Sequence, residues 1–294
     1  MPGIFILSLD CEGKWGVADR LNDGHHKLLN DARLRDAYGA ISALLDQLRI
    51  SATFAFTELF TLSADELLAL PGDEIVDRLP YAKAAFANIR AGEFEGWSAP
   101  WAKDLVADHH EIACHGVTHT PWDTLNEAQA RFELSLLSRQ NGQTFIYPRN
   151  RINHLDILEG AGFKGYRLTP VIRSRMSSLA SEFDIFASAE PNSRALPLQA
   201  IPAGHFINWR SGLRKIVPPA WTRLRARRIL EDAVKSNGVA HFWTHPENIA
   251  SAPSTLSNLR AVLEEAASLR TEGKMICMTQ AKYCDYVSSL SYEP

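Results

Sequence analysis

Cysteine is scarce in this chain of 294 residues: Cys11, Cys114, Cys277 and Cys284 are the only four, and none form a CxxC pair. No apolar run approaches the roughly 18–20 residues that a membrane span needs, so no membrane span is expected. A surplus of one charge is missing too. Lys and Arg number 31 against 34 Asp and Glu, a formal net charge of −3, which argues against wholesale nucleic-acid binding. The N-terminal stretch Met1 to Asp10 has no basic start and no small-residue cleavage site, so it reads as a buried strand and not as an export signal. With no such signal, reduced thiols in a cytoplasmic protein are expected. There is no internal repeat, low-complexity tract or linker, so residues 1–294 read as one domain.

What is present is an ordinary globular composition, 46% hydrophobic and 22% charged, with enough apolar material for a sizeable core. Short apolar runs alternate with helical ones, the pattern of an α/β fold with a mainly parallel sheet. Strands are expected at Ile4–Leu9, Ala52–Phe56, Glu111–Cys114, Thr144–Tyr147, Gly165–Leu168, Leu198–Ile201, Ala240–Thr244 and Met275–Met278. Asp31 to Leu48 carries a helical period in Leu34, Ala37, Ile41, Leu44, Leu45 and Leu48. Further helices are expected at Glu127–Arg139, Leu155–Ala161, Ala220–Val234 and Ser257–Arg270. Seven or eight βα-type units suggest a barrel-like α/β domain, whose chemistry belongs at the C-terminal ends of the strands.

Four of those ends carry polar residues. Asp10 and Glu12 stand two apart on an extended chain, so both can reach one centre. His115 and His119 follow the third strand beside Gly116 and Pro121, and two imidazoles four apart can chelate one metal where the backbone turns between them. Arg149 follows Tyr147-Pro148, where a fixed cation can hold an acid ionised and aimed. His241, Trp243 and His245 share one face of the seventh predicted strand; His245, at its end, is placed to reach a site, and His241 reads as a packed histidine.

Asp10-Cys11-Glu12, His115-Gly116-Val117-Thr118-His119, Tyr147-Pro148-Arg149 and Phe242-Trp243-Thr244-His245-Pro246-Glu247, in that order, resemble the motifs of the polysaccharide deacetylases of the NodB-homology type, carbohydrate esterase family 4. The resemblance spans nearly the whole chain. It implies a distorted (β/α) barrel, with Asp10 as general base, Glu12, His115 and His119 as metal ligands, Arg149 orienting Asp10 and His245 as general acid. It implies a divalent metal ion, Zn2+ first and Co2+, Ni2+ or Mn2+ as alternatives, and a metal-dependent hydrolase that removes acetyl from the nitrogen of an amino sugar during surface glycan synthesis. Two alternatives stand beside it: a deformylase or other small-amide hydrolase on the same scaffold, and a silent glycan-binding relative. The chain departs from the family pattern in Glu12, where many relatives have Asp, and in the order of Pro148 and Arg149. The family's acid that tunes the last histidine has no clear counterpart, Asp184 and Asp232 being the candidates.

Two weaker features complete the reading. Trp97 to Trp101 could form a sugar-stacking lid, though packing is the plainer role. Arg210, Arg214, Lys215, Arg223, Arg225, Arg227 and Arg228 could receive the phosphate of a nucleotide- or lipid-linked glycan, or touch an anionic membrane through the 210–228 segment. A solvated helix face balanced by Glu231 and Asp232 is the default for them. His25, His26, His109, His110, His154 and His205 receive no role.

Overall fold

Period-two alternation in the first strand sets the architecture. The computed structural model describes residues 1–137, 143–169, 179–184, 186–192 and 198–290. Strand β1 (Gly3–Cys11) is buried along its whole length. Phe5, Leu7, Leu9 and Cys11 face outward, into a core shared with Leu34, Tyr38 and Ile41 of the helix Asp31–Leu48 and with Ile229 and Leu263 of two later helices. Ile4 and Ile6 face inward, where they pack with Ile201, Val239 and Met278. The next two residues of inward parity are Ser8 and Asp10. The interior is thus apolar at the N-terminal end of β1 and polar at its C-terminal end.

Among the described residues nine strands form one sheet: β1, β2 (Thr53–Phe56), β3 (Glu111–Cys114), β4 (Thr144–Phe145), β5 (Gly165–Arg167), β6 (Gln199–Ile201), β7 (His205–Phe206), β8 (Val239–Thr244) and β9 (Met275–Met278). Their order is β6-β5-β4-β3-β2-β1-β8-β7, with β9 also paired to β1, and every named pair is parallel. The result is a curled, open parallel sheet flanked by helices, a distorted (β/α) barrel as expected. Its two borders, β6 and β7, are consecutive in the chain, joined by Pro202–Gly204.

Most expected elements lie within a residue or two of their places. Strand β7 was not foreseen, because a two-residue pairing with β8 leaves no periodicity to read. The helix at Glu127 ends at Ser135, and the predicted end at Arg139 lies outside the described residues. The helix Asp31–Leu48 opens where the side chain of Asn30 accepts from Arg33 N and closes at Arg49 in the left-handed region.

At the N-terminal end of the barrel, buried Glu111 ties several elements together. It accepts from Thr53 Oγ1 at 2.9 Å, Thr144 Oγ1 at 2.5 Å and Ala281 N at 2.9 Å. Burial raises its pKa against these bonds. Replacing it with Ala strands those donors, so Glu111→Ala should lower the unfolding free energy by about 2–4 kcal/mol in urea titration. It should leave metal content unchanged, since it lies at the end opposite the candidate site.

Candidate metal centre and its acid–base pair

The C-terminal ends of β1, β3 and β8 converge. Past Cys11, Glu12 keeps the inward parity of Asp10. Past Cys114, the backbone turns through Gly116 (φ 73°) and His119 (φ 59°), which brings the two imidazoles to a ring separation of 5.0 Å. A Cβ at Gly116 would lie 2.8 Å from Pro148 Cγ, so glycine is required there on both counts. One ligand atom from each of Glu12, His115 and His119 lies within 4.8 Å of the others. Glu12 Oε2 is 2.5 Å from His119 Nε2 and 3.6 Å from His115 Nε2.

The proton inventory of this cluster calls for a cation. His115 Nδ1 is 2.8 Å from the carbonyl of Ile146, which can only accept, so Nδ1 carries a proton and Nε2 is the nitrogen turned toward Glu12. Burial holds His119 below its ordinary pKa, against the pull of Glu12, which favours the neutral imidazole. Burial pushes the Glu12 pKa up, but the imidazoles that face it, His119 first and then His245 and His115, outweigh this and hold it well below the ordinary carboxylate value. One carboxylate and two imidazoles, both histidines buried, form a donor set suited to a divalent metal ion.

Residues outside the predicted set hold these ligands. Glu247 Oε1 accepts from the backbone N–H of Glu12 (3.1 Å) and Gly13 (2.7 Å). Burial, and then the charge of Glu12, push its pKa up to about 8. Glu133 Oε1 accepts from the N–H groups of Val117 and Thr118, each at 3.1 Å, and so clamps the loop between the two histidines. Glu247 was legible only as part of the His-Pro-Glu run, and Glu133 gave no signal beyond an acid on a helix.

Asp10 lies beside this cluster, almost fully buried. Burial raises its pKa, but the guanidinium of Arg167, followed by His115 and a bond from Arg167, bring it below the ordinary carboxylate value. Arg167 Nη1 donates to Asp10 Oδ1 and Nη2 to Oδ2, both at 2.7 Å, a fork-to-fork pair. Opposite stands His245, whose Nε2 is 3.9 Å from Asp10 Oδ2 and 3.6 Å from Glu12 Oε1. Asn248 Nδ2 donates to His245 Nδ1 at 3.2 Å, which leaves the neutral ring's proton on Nε2, facing the two carboxylates.

The expected partner of Asp10 is corrected here. Arg149 does not reach it: after β4, Arg149 and Asn150 both adopt left-handed conformations (φ 55°), which throws Arg149 to the rim. There it donates to Asp19 at 2.5 Å and lies 5.0 Å over the ring of Tyr81. The cation at Asp10 comes instead from the inner face of β5. The signal for it was an arginine inside a short strand, where a charge has no place unless paired.

Asp184 and Asp232 do not meet His245; they accept from the backbone of Phe186 and Ala189. Trp97 is fully buried, edge-on to Trp15 at 5.5 Å, so its segment packs in the core and is no lid. In the basic cluster, Arg225 is buried, Arg214 pairs with Glu182 and Arg227 with Glu231, while Leu213 (72% exposed) and Ile216 (62%) face solvent. A second group, Asp46, His109 and His110, lies at the surface; His110 Nδ1 accepts from Ala52 N, which places that ring's proton on Nε2.

A Cβ at Gly16 would fall 2.1 Å from Cδ of Glu12. Gly16→Ala should therefore displace the carboxylate and weaken zinc binding about 10–100-fold, with little change in melting temperature, as read by competition with a chromophoric chelator.

No protein-family model matches the chain, and no curated protein resembles it in sequence. Solved structures do resemble it in fold. A protein assigned as a polysaccharide deacetylase from Mycobacterium smegmatis superposes with a TM-score of 0.60 at 15% identity, covering 100% of this chain and 93% of the other. One assigned as a polysaccharide deacetylase from Pseudomonas aeruginosa PAO1 gives 0.58 at 13% identity, covering 97% and 91%. The Puue allantoinase gives 0.60 at 13% identity, covering 99% and 92%. The described sheet, read with these neighbours, has the fold of the polysaccharide deacetylases, an open, distorted (β/α) barrel of the NodB-homology type.

Proposed function

We propose that the chain is a metal-dependent hydrolase that removes an acetyl group from the nitrogen of an amino sugar, in the cytoplasm, as a step in building a surface glycan. One observation carries the reading. An ionised carboxylate held apart from the metal ligands, Asp10, faces a protonated imidazole nitrogen, on His245, beside a three-ligand cluster. Glu12, His115 and His119 would hold the cation, Zn2+ by preference for two imidazoles and a carboxylate. When bound, such an ion supplies positive charge that polarises an amide carbonyl and acidifies water.

The chain's own residues do the rest. Asp10, kept anionic by Arg167, takes the proton from water as its oxygen bonds to the carbonyl carbon. His245 Nε2–H gives its proton to the departing nitrogen as the C–N bond breaks, avoiding an amide anion as leaving group. Phe206, half-buried and with its ring centroid 6.3 Å from that of His245, offers aromatic surface beside it for a sugar. Arg214 lies 5.0 Å over Phe206, and Leu213, Lys215 and Ile216 beside it offer an apolar and cationic edge to a lipid-linked carrier or an anionic membrane. Among the described residues no helix is long and apolar enough to cross a membrane, and the four cysteines are free. The allantoinase among the fold neighbours supports a second reading, hydrolysis of a small cyclic amide.

A panel of N-acetyl and N-formyl amino sugars and allantoin tests the choice: acetate release from the first is expected, abolished by chelation and restored by Zn2+, with Co2+, Ni2+ and Mn2+ compared. No metal-dependent release from any of them would overturn the hydrolase reading. Asp10→Asn should lower kcat about 10²–10⁴-fold with metal content unchanged. Arg167→Ala should fall by about 10²–10³-fold, since it leaves the Asp10 charge buried and unpaired, and Arg149→Ala by less than about tenfold.

A further inference from the structure

Between the apolar layer and Asp10, the barrel interior holds a row of polar side chains in which every hydrogen bond has one permitted direction. The row starts at the Pro202 carbonyl, in the link between β6 and β7. A carbonyl only accepts, so His241 Nδ1, 2.6 Å away, carries that ring's proton. The bare Nε2 lies 2.9 Å from Ser8 Oγ, so the serine hydroxyl donates to it. A guanidinium only donates, so Arg167 Nη1 gives its bond to the Ser8 oxygen at 3.1 Å. The other Nη hydrogens go to the two oxygens of Asp10 and, at 3.0 Å, to Asn150 Oδ1. All four Nη hydrogens of Arg167 are thereby committed.

We infer that Ser8 and His241 are positioning residues: they pin one edge of the Arg167 guanidinium so that its fork meets the Asp10 carboxylate squarely. The inference rests on the proposed role of Asp10 as proton acceptor. His241 is fixed in place. A Cβ at Gly204 would lie 2.8 Å from both its Cγ and its carbonyl oxygen, so the ring is clamped under a glycine. Ser8 and His241 are fully buried, and the ring of Trp243, next inward residue on β8, lies 4.8 Å under the guanidinium. Polarity matters because a protonated His241 would turn a second donor on Ser8, whose hydroxyl would then have nothing to donate to there. Burial, and then the charge of Arg167, push its pKa down to about 3; Asp10 and His205 are its other titratable neighbours.

The test uses the full chain loaded with zinc. Long-range 15N–1H correlation on histidine-labelled protein should show His241 in the Nδ1–H tautomer, unchanged from about pH 5.5 to about pH 8.5. An Nε2–H tautomer, or titration within that window, overturns the inference. Ser8→Ala should lower kcat about 10–100-fold with KM within about twofold and metal content unchanged, and should speed Nη–H exchange at Arg167 by about tenfold or more. Unchanged kcat and exchange overturn it. His241→Gln, whose amide oxygen can accept from Ser8, should keep more kcat than His241→Leu; equal losses overturn the role of His241. Should no amide in the panel be turned over, the proposed function falls, while the tautomer and exchange measurements still decide this chain of bonds.

Discussion

A guanidinium and a carboxylate, with side chains 1% and 3% exposed, sit inside this barrel, and much of the interior is arranged around that pair. Taking two charges out of water costs several kcal/mol per ion, and mutual attraction offsets it only when the remaining donors and acceptors are also satisfied. The chain meets most of that condition from four strands or their extensions, with only Nε of the Arg167 guanidinium left without a partner among the described residues: Asp10 and Ser8 from β1, Asn150 from the turn after β4, Arg167 from β5, and the face of Trp243 from β8. A pair held on so many sides has one orientation. That orientation gives Asp10 its charge and its aim.

Parity along β1 makes this possible. Ile4 and Ile6 belong to the apolar interior, Ser8 and Asp10 to the polar one, and Glu12 continues the same face into the metal cluster. Strand β8 repeats the trend with His241, Trp243 and His245. In both strands the inward row ends on a polar and partly exposed residue, Glu12 after β1 and His245 after β8, with side chains 14% and 22% exposed.

The strands and the meeting of Glu12, His115 and His119 were legible because each depends on local order: alternating apolar residues, two acids two apart, two histidines four apart. The shared face of His241, Trp243 and His245 followed from the same alternation. What was not legible depends on which strands lie side by side. Arg167 gains meaning only when β5 curls to face β1, and Arg149 loses its expected role only because two successive residues turn left-handed after Pro148. His241 reads from sequence as a packed histidine; its bond to Ser8 joins residues 233 apart. Glu133 and Glu247 act on backbone N–H groups, which leave no trace in a pattern of side chains.

The link Pro202–Gly204 has a consequence beyond the site. It joins the two borders of the sheet, strands of three and two residues that follow one another in the chain. An exposed strand border is ordinarily a template on which a foreign chain can add itself, the first step toward aggregation. Here each border is too short to offer a useful ladder, and the same connecting residues cross the gap between them. The seam that leaves the barrel geometrically incomplete thus offers little ladder at β6 and β7 for a foreign strand to extend.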